Sequence, residues 1–303
     1  MPPSACNKLA VSILIPVYNQ KVIALVTSLA EQLDAVALAG EIRIWEDGSD
    51  EKAALQNDVL KANHRVQLHR SPVNEGRLTA RQKLAGMARY DYLLFLDADS
   101  AIIRPDFMEQ YARRMQEGAA LVTGGRVYTD QAPDCAFRLH WTYGRKRENR
   151  AGAAFMSNNF LVRKDLFLQL EHSTPLPRYG HEDTWWGLQF RQQGITPLAI
   201  DNPVLHAQLD TAPVFLQKSL DALDNLIWLE TKTSPSTLSS EVKIYRWYRR
   251  MRKMGMLPIF CRIEKWFDRH FRTNLLSCAP RLFYFDMVRL AELARRKKNQ
   301  SNK

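Results

Sequence analysis

Apolar runs of strand length alternate with stretches of helical periodicity over the first 100 residues of the chain. Four runs predict strands: Val11–Val17, Glu41–Trp45, Val66–His69 and Tyr92–Leu96. Helices are predicted over residues 22–33, where apolar residues recur three and four positions apart, and over residues 78–88. This alternation predicts βαβ units, a mostly parallel sheet and right-handed crossovers. We therefore expect an α/β fold in which helices flank the sheet.

The middle of the chain is less regular but still gives strand and helix signals. Further pieces are expected as strands at 121–125, 154–162 and 195–200, as a loop at 175–180, and as a helix that follows Gly180. The one linker-like stretch is Thr231–Ser240, and we place a domain boundary there. The prediction is a first domain of residues 1–232 and a basic, amphipathic helical extension of residues 233–303.

Polar residues directly follow three of the predicted strands. Pro16–Asn19, Glu46–Gly48 and Asp97–Asp99 each lie where a strand is expected to end. Ligands of parallel α/β sheets bind at the carboxyl ends of the strands. The three segments together therefore predict a binding site at one edge of the sheet.

The positive charge of the chain is concentrated in its C-terminal fifth. The 303 residues carry a net charge of +11, from 43 Lys and Arg against 32 Asp and Glu. Residues 241–303 contain 17 basic and 5 acidic side chains, a net of +12, which leaves a net of −1 for the first 240 residues. A neutral body with a basic tail favours a local anionic partner and argues against nucleic acid.

Cysteine usage and hydropathy indicate a cytoplasmic protein. The four cysteines are scattered, without a CxxC pair or a histidine at ligand spacing. This disfavours a zinc knuckle or a disulfide scaffold and fits a reducing compartment. No stretch of the sequence approaches the ~20 uninterrupted apolar residues of a membrane span. The first ten residues lack a basic flank and a long apolar segment, so a signal peptide is not expected.

The pair Asp97 and Asp99 is the sharpest candidate for chemistry. Two carboxylates one residue apart after a strand can bind a hard cation such as Mg²⁺, which fills its remaining positions with water and phosphate oxygens. The alternative is a solvated turn or a helix cap, because Asp99 and Ser100 are good capping residues. DxD is a common tripeptide, but its position after the apolar run Leu93–Leu96 favours the functional interpretation.

Two acidic segments each have a functional and a structural interpretation. Asp47 can accept a hydrogen bond from a nucleobase, or it forms an Asx turn before Gly48. Glu182 and Asp183 offer a general base near a helix N-terminus, where the helix dipole keeps a carboxylate ionised. The structural alternative is that Asp183 only caps that helix.

One histidine and two tryptophans are weaker candidates. His206 has no charged neighbour in the sequence, and a lone histidine is more often structural than a ligand. Trp185 and Trp186 point about 100° apart on a helix. We therefore expect them to divide between core packing and a ligand-facing surface.

Five motifs occur in a specific order between about residues 10 and 210. They are Ser12–Asn19, Glu46–Ser49, Asn74–Gly76 with Arg81, Phe95–Asp99 and Gly180–Thr184. Together they resemble glycosyltransferase family 2 with the GT-A fold, a Rossmann-like and mostly parallel sheet flanked by helices. Ser157–Phe160 and Ile200–His206 are also similar to a subgroup from bacterial envelope polysaccharide clusters.

The resemblance implies a role for each matching residue. Nucleotide contacts are expected from Pro16, Tyr18, Asn19, Asp47, Arg81 and Asp97. Within that set Asp47 would read the base, Arg81 would act through Asp97, and Asp97 would contact the ribose or the metal. Asp99 and His206 would ligate Mg²⁺ or Mn²⁺, and Asp183 would be the catalytic base. The acceptor or sugar side is expected to include Asn158, Asn159, Glu182, Trp185 and Trp186.

The resemblance also implies a reaction. It is the metal-dependent, inverting transfer of a sugar from a nucleotide-diphosphate donor, by family habit a UDP-sugar, to a hydroxyl of a saccharide or lipid-linked saccharide acceptor in envelope polysaccharide or glycoconjugate synthesis. One departure is Glu46, where the family usually has aspartate, and we expect it to be tolerated because Asp47 is the residue expected at the base. The QxxRW motif of processive membrane-embedded synthases is missing from the sequence, which favours a single-addition enzyme.

Two alternatives stay open, a nucleotidyltransferase and a catalytically silent nucleotide- or sugar-binding module. A nucleotidyltransferase usually carries a Gly-rich, Lys-containing loop near its N-terminus, whereas Pro16–Lys21 contains no glycine. Intact Asp97, Asp99 and Asp183 argue against a silent module. A nucleic-acid binder acting through the basic tail would leave the acidic strand ends unexplained.

Basic and aromatic residues alternate at helical spacing in the C-terminal extension. One apolar stripe, with arginines between its members, consists of Ile244, Trp247, Tyr248 and Met251, and a second consists of Phe283, Met287, Leu290 and Leu293. Either these helices pack on the catalytic domain and the arginines are solvated, or the basic surface rests on anionic lipid headgroups. Under the second interpretation the cytoplasmic protein lies on the inner face of the cytoplasmic membrane.

Overall fold

The structure, a computed structural model, describes residues 9–149, 155–171 and 180–301. Its strands are β1 (Ala10–Val17), β2 (Ala39–Asp47), β3 (Val66–Ser71), β4 (Tyr92–Leu96), β5 (Ser100–Ile102), β6 (Leu121–Thr123), β7 (Arg126–Val127), β8 (Asn159–Arg163), β9 (Leu198–Ala199) and β10 (Val204–His206). Its α-helices are α1 (Ile23–Ala35), α2 (Glu51–Gln56), α3 (Arg77–Met87), α4 (Phe107–Gln116), α5 (Arg138–Tyr143), α6 (Lys164–Leu168), α7 (Glu182–Gln192), α8 (Ala212–Lys232), α9 (Pro235–Glu241), α10 (Lys243–Lys253), α11 (Leu257–Leu275) and α12 (Leu282–Ser301).

The chain divides into two compact units that each draw on several segments. The first unit takes residues from 1–127, 149–173 and 189–208, and the second from 128–148, 174–188 and 209–303. Helix α8 and the two shorter segments therefore group with the C-terminal helices. The boundary near residue 232 stays a prediction that this division does not reproduce.

A seven-stranded sheet forms the centre of the first unit, in the order β3-β2-β1-β4-β8-β6-β9. Strand β1 pairs in parallel with β2 and β4, and β2 pairs in parallel with β3. Strand β8 is antiparallel to both of its neighbours, β4 and β6. The α/β fold with a mostly parallel sheet is confirmed. Strand β8 overlaps the strand predicted at 154–162, but its antiparallel direction was not predicted.

The apolar residues of the predicted elements form the core of the first unit. Strand β1 is buried on both faces, with Ile13, Leu14 and Ile15 fully inaccessible, as its uninterrupted apolar run predicts. Helix α1 covers one face of the sheet through its apolar stripe, which includes Leu29 and Leu33. Because the central strands are anchored in this way, their carboxyl ends are held side by side.

A second, three-stranded sheet has the order β5-β10-β7. Strand β10 is antiparallel to β5, with His206 opposite Ser100, and it runs parallel to β7. The predicted strand 195–200 is reduced to β9, and the strands β5 and β10 were not predicted. This small sheet brings a histidine from late in the chain next to the residues that follow β4.

The C-terminal helices belong to the second unit. The stretch predicted as a linker is helical instead: α9 begins after Ser234, whose Oγ accepts a hydrogen bond from the Thr237 amide at 3.1 Å. Pro235 occupies the first turn, a position that tolerates proline because its missing N–H has no helical partner. Among the helices within the described ranges, none is long and apolar enough to cross a membrane.

One disulfide bond corrects the expectation of unpaired cysteines. Cys135 and Cys278, both in the second unit, are joined although 143 positions separate them in the sequence. Cys261 is a free thiol. The expectation was wrong because wide sequence spacing does not prevent two cysteines from meeting in the fold, and connectivity cannot be deduced from spacing alone. The predicted strand start at 154 and most of the loop predicted at 175–180 lie outside the described residues.

Candidate functional site

The segments that follow β1 and β2 are hydrogen-bonded to each other. The Asn19 amide N–H donates to Ser49 Oγ at 2.9 Å, and Asn19 Oδ1 accepts from the Asp50 amide at 2.7 Å. Asn19 has a φ of 52°, a left-handed conformation that asparagine tolerates better than most residues. Next to it, Pro16 is partly buried and Tyr18 is half exposed, so both are accessible to a ligand.

Glu46 is a buried structural residue at the end of β2. Its Oε1 accepts from Asn57 Nδ2 at 2.7 Å and its Oε2 accepts from Ser49 Oγ at 2.5 Å. The Asn57 side chain also accepts from the Val22 amide at 3.0 Å. The glutamate therefore links β2 to the start of α1, which gives a physical reason for its presence at the position where family members usually have aspartate.

Asp47 holds the turn at residues 74–76 against the end of β2. Its Oδ1 accepts from the Glu75 amide at 3.0 Å and its Oδ2 from the Gly76 amide at 2.8 Å. The segment after β2 and the turn at residues 74–76 approach so closely that a Cβ at Gly48 would lie 2.3 Å from the Asn74 nitrogen. Base reading by Asp47 stays a prediction, and any nucleobase would share a carboxylate that already accepts two hydrogen bonds.

Asp97 receives three arginine side chains directly after β4. Arg81 Nη2 donates to Asp97 Oδ1 at 2.6 Å, while Arg126 and Arg77 approach Oδ2 at 3.3 and 3.6 Å. Arg81 is fully buried, and it also donates to the hydroxyl and the carbonyl oxygen of Ser157, at 2.9 and 2.7 Å. The structure thus places Arg81 against Asp97.

Arg77 and Arg126 were not predicted as site residues, and Ser157 was expected only as part of the segment Ser157–Phe160, without a role of its own. Arg77 stands four positions before Arg81 on α3, so the two side chains leave the helix on the same face, and this spacing is a signal that could have identified it. Arg126 begins β7, a two-residue strand without a recognisable pattern. The three arginines bring more positive charge to this edge than Asp97 alone neutralises.

Asp99 and His206 form the second half of the cluster. His206 Nδ1 lies 3.5 Å from Asp99 Oδ2, and Asp99 Oδ1 is buried and accepts no hydrogen bond from any residue that the structure describes. Burial alone would raise the pKa of Asp99, but the hydrogen bond from His206 and the charges of His206, Arg126 and Arg77 outweigh it and hold the pKa below its usual range. Asp99 therefore stays ionised.

This pair fits a divalent cation that is shared with a ligand. Within residues 9–149, 155–171 and 180–301, no three His, Cys, Asp or Glu side chains cluster closely enough to hold a metal by themselves. Asp99 and His206 supply one carboxylate and one imidazole, and the buried Oδ1 is a charged acceptor that lacks a donor. Mg²⁺ and Mn²⁺ accept such partial protein ligand sets when phosphate oxygens and water complete the shell.

The two asparagines that begin and precede β8 differ in their roles. Asn158 is buried, its carbonyl oxygen accepts from the Asp97 amide at 3.0 Å, and neither atom of its side-chain amide bonds to another described residue. Asn159 is fully buried and saturated: Tyr111 donates to its Oδ1 at 2.6 Å, and its Nδ2 donates to two backbone carbonyls. The structure therefore gives Asn159 a structural role and leaves Asn158 available for a ligand.

The start of α7, in the second unit, carries the predicted base. Gly180 and His181 both have positive φ, and a Cβ at Gly180 would lie 2.5 Å from Ala222. Desolvation and the charge of Arg289 lower the pKa of His181 to about 3. Asp183 is partly buried and Glu182 is buried, and both lie in the first turn of α7, where the helix dipole favours negative charge.

The two tryptophans of α7 correct one expectation. Trp186 is fully buried, and Trp185 is 5% exposed with its ring at 5.3 Å, edge to face, from that of Trp228. A ligand-facing surface for either indole was therefore the wrong prediction. The two side chains leave the helix about 100° apart, but both directions lead into the protein interior.

A comparison with known families matches residues 12–169 to the one described as glycosyl transferase family 2. This match includes more than half of the chain. The chain belongs to glycosyltransferase family 2. A curated relative from Haemophilus influenzae, described as an uncharacterized glycosyltransferase, is 28% identical over 125 residues, which are 41% of this chain and 50% of the relative. The family 2 chain thus spans about half the length of that relative.

Two solved structures share the fold of this family 2 glycosyltransferase. The mannosyltransferase PcManGT from Pyrobaculum calidifontis, in complex with GDP-Man and Mn²⁺, is 12% identical, with 94% of this chain and 86% of that chain covered and a TM-score of 0.54. GalNAc-T7, with UDP, GalNAc and Mn²⁺, is 19% identical, with 67% and 44% covered and a TM-score of 0.51. The fold is GT-A, as the sequence motifs predicted.

Proposed function

We propose that this family 2 enzyme transfers a sugar, with inversion, from a nucleotide-diphosphate donor to a hydroxyl of a saccharide or lipid-linked saccharide acceptor. The observation that carries the proposal is Asp99, an ionised and partly buried carboxylate. Its buried Oδ1 accepts no hydrogen bond from a described residue, and His206 lies beside its Oδ2. A carboxylate and an imidazole placed in this way can bind a divalent cation, and such a cation can in turn bind the phosphate oxygens of a nucleotide diphosphate. We propose a UDP-sugar as the donor, because UDP-sugars are the usual donors of this family.

The proposed diphosphate contacts come from the arginines around Asp97. Arg81 has no exposed surface, and it holds Asp97 and Ser157 in place, whereas the side chains of Arg77 and Arg126 are 35% and 14% exposed. Guanidinium groups bind phosphate oxygens through paired N–H donors. We therefore assign Arg77 and Arg126 to the donor's phosphates, and Asp97 to the ribose or the cation.

Asp99 and His206 would hold the Mg²⁺ or Mn²⁺ ion. When bound, the ion supplies charge that offsets the negative charge growing on the departing diphosphate. The part of Asp99 is to present a carboxylate that is already ionised, and the hydrogen bond with His206 orients it. The complexes of PcManGT and GalNAc-T7 with Mn²⁺ support the choice of a divalent ion.

Asp183 is the proposed catalytic base. It would accept the proton of the acceptor hydroxyl as that oxygen attacks the anomeric carbon. Its position in the first turn of α7 supports this role, because the positive end of the helix dipole favours a negatively charged side chain there. We place Glu182 and Asn158 on the acceptor or sugar side.

The test combines donor binding with donor hydrolysis. Thermal unfolding is measured with UDP-, GDP- and dTDP-sugars, each with Mn²⁺, Mg²⁺ or EDTA. One nucleotide class should raise the melting temperature only in the presence of metal, and Asp99→Asn should abolish that rise. Asp183→Asn should keep the rise and reduce donor turnover by about 10²–10⁴-fold, the usual contribution of a general base. Asp165→Asn, a half-exposed carboxylate paired with Arg163, is the matched control and should change neither quantity.

Each result separates the parts of the proposal. If no nucleotide stabilises the protein with any metal, the donor assignment is wrong. If Asp99→Asn binds and responds to metal like the unmodified chain, the ion does not reside at Asp99. If Asp183→Asn turns over the donor at a near-normal rate, Asp183 is not the catalytic base, but the proposed donor site is unaffected by this result.

A further inference from the structure

Helix α11 buries a charged residue and exposes several of its large apolar residues. Glu264 is 1% exposed, and its Oε2 accepts from Arg295 Nη1 of α12 at 2.9 Å. On the other side of α11, Ile259 is 65% and Trp266 is 76% exposed. A helix that only packed against its neighbours would show the reverse arrangement.

The exposed apolar side chains form one continuous face. Ile259, Ile263, Trp266 and Phe267 recur at the three- and four-residue spacing of a helical stripe. Two exposed methionines from the turn before α11 lie next to them in the sequence. We define the α11 apolar face as the six residues Met254, Met256, Ile259, Ile263, Trp266 and Phe267. Scattered exposed apolar residues are ordinary, but a stripe of this size marks a surface that another body covers.

A basic stripe runs along α11 beside this face. Arg262, Lys265 and Arg269 are exposed and share one side of the helix. The only acidic residues in the sequence of α10 and α11 are Glu264 and Asp268, and each accepts an arginine: Arg295 for Glu264, and Arg272 for Asp268 at 2.9 Å. The solvent-facing charge of α11 is therefore cationic.

Helix α10 adds to the same charge. It contributes six exposed basic residues, which are Lys243, Arg246, Arg249, Arg250, Arg252 and Lys253. Trp247 of α10 is also half exposed among them. The two successive helices thus combine a cationic surface with large apolar side chains that water surrounds.

We infer that α11 lies flat in the headgroup region of an anionic lipid bilayer, with the α11 apolar face immersed and its basic stripe at the lipid phosphates. An apolar stripe bordered by Lys and Arg is the pattern of a helix that lies in the interface, where its apolar side enters by about 5–10 Å. Nucleic acid would use the cations but would leave the apolar face in water. The 19 residues of α11 extend about 28 Å along the membrane plane.

This inference concerns a surface that is separate from the proposed donor chemistry, and its readout involves no nucleotide. The full chain is mixed with vesicles of phosphatidylcholine containing 30% phosphatidylglycerol, or of phosphatidylcholine alone, and floated on a density gradient at low and high salt. We expect flotation with the anionic vesicles at low salt and a marked loss at high salt, since surface attraction to anionic lipid is screened.

Three variants test the two parts of the surface. Ile263→Ser and Trp266→Ser should each lower the partition coefficient by about 10-fold or more, the loss expected when a large side chain no longer leaves water. Val59→Ser is the control, an equally exposed apolar residue (62%) in the first unit, and it should change nothing. The combined change Arg262→Gln, Lys265→Gln and Arg269→Gln should lower binding to anionic vesicles by about 100-fold.

The outcomes decide the inference. Failure of the unmodified chain to float at low salt overturns it. If Ile263→Ser and Trp266→Ser float as well as the unmodified chain does, the membrane contact lies elsewhere, and this result also overturns the inference. Sedimentation velocity tests whether a second copy of the chain covers the α11 apolar face instead. If the protein is a dimer that does not bind vesicles, and Trp266→Ser converts it to a monomer, the face is a contact between two copies and the inference is overturned. Because the altered side chains are exposed, unchanged melting temperatures should accompany every variant.

Discussion

Replacing Arg81 by methionine should destabilise the protein far more than replacing a surface arginine. Arg81 has no exposed surface and makes three hydrogen bonds, one to the carboxylate of Asp97 and two to Ser157. Methionine fills a similar volume but leaves Asp97 buried with only the longer contacts to Arg126 and Arg77, at 3.3 and 3.6 Å. The substitution therefore weakens the compensation of the Asp97 charge and also removes two hydrogen bonds to Ser157.

The size of the effect follows from that geometry. Removing one partner of a buried ion pair costs about 3–5 kcal/mol, and the two remaining arginines bring the expectation to the lower end, about 3 kcal/mol. For 303 residues with an unfolding entropy of about 2.1 cal/mol/K per residue, this lowers the melting temperature by about 5 °C. Arg113→Met is the control: Arg113 is half exposed and pairs with Glu109 at 3.4 Å, so its loss should cost about 0.5 kcal/mol at most.

Urea unfolding followed by circular dichroism measures both variants. A second change then tests the cause: adding Asp97→Asn to Arg81→Met removes the stranded negative charge and should recover about 1–2 kcal/mol. The reasoning is refuted if Arg81→Met costs no more than Arg113→Met. It is equally refuted if the double variant is less stable than Arg81→Met alone, because the carboxylate charge would then not be the source of the loss.

Three further predictions concern the rest of the chain. Cys278→Ser should lower the free energy of unfolding by up to about 5 kcal/mol, the chain-entropy value for a loop of 143 residues, and a reductant should have the same effect on the unmodified protein in denaturant titrations. Gly144→Ala should cost about 1–3 kcal/mol because the new Cβ would lie 2.1 Å from the Tyr128 ring, whereas Gly86→Ala on α3 meets no atom within 4 Å and should stabilise by about 0.5–1 kcal/mol in the same assay. The pKa of His181 is lowered from 6.5 to about 3 in the folded protein, so the unfolded chain binds a proton first and stability falls as the pH drops below 6.5; His181→Asn should flatten that fall in melting curves taken between pH 7 and 4, and an unchanged slope would contradict the assignment.

The strand ends could be predicted because their signals are local. The apolar runs that become β1, β2 and β4 are long enough to identify, and the polar residues after them follow at once in the sequence. The order β2-β1-β4 then brings these ends together as neighbours. The site edge was therefore available from the sequence, since strand pairing in βαβ units places successive carboxyl ends on one side.

The partners inside the site could not be predicted in the same way. The arginines that meet Asp97 come from α3 and from β7, and no local pattern states that they share one carboxylate. His206 lies on β10, a three-residue strand whose apolar pattern is too short to detect. Its proximity to Asp99 came from family resemblance and not from periodicity, and the structure supplies the pairing that explains it.

Composition was misleading in the second unit. Residues 231–240 are rich in Ser, Thr and Pro, which is typical of a linker, but Ser234 and Pro235 are also the residues that begin a helix well. The indoles of Trp185 and Trp186 both face protein because α7 is covered on more than one side. Single-residue patterns do not record how many neighbours a helix will have, so such burial is decided by tertiary packing.

The pairing of β10 with β5 also sets the minimum length of chain that can be expressed as a working fragment. The family match ends at residue 169, and a truncation there would keep β5 and β7 but remove the strand that lies between them. Two short strands would then present unpaired backbone groups to other chains, a known route to aggregation. Asp99 would lose His206 at the same time. The segment by which the family is recognised is shorter than the segment that has to fold.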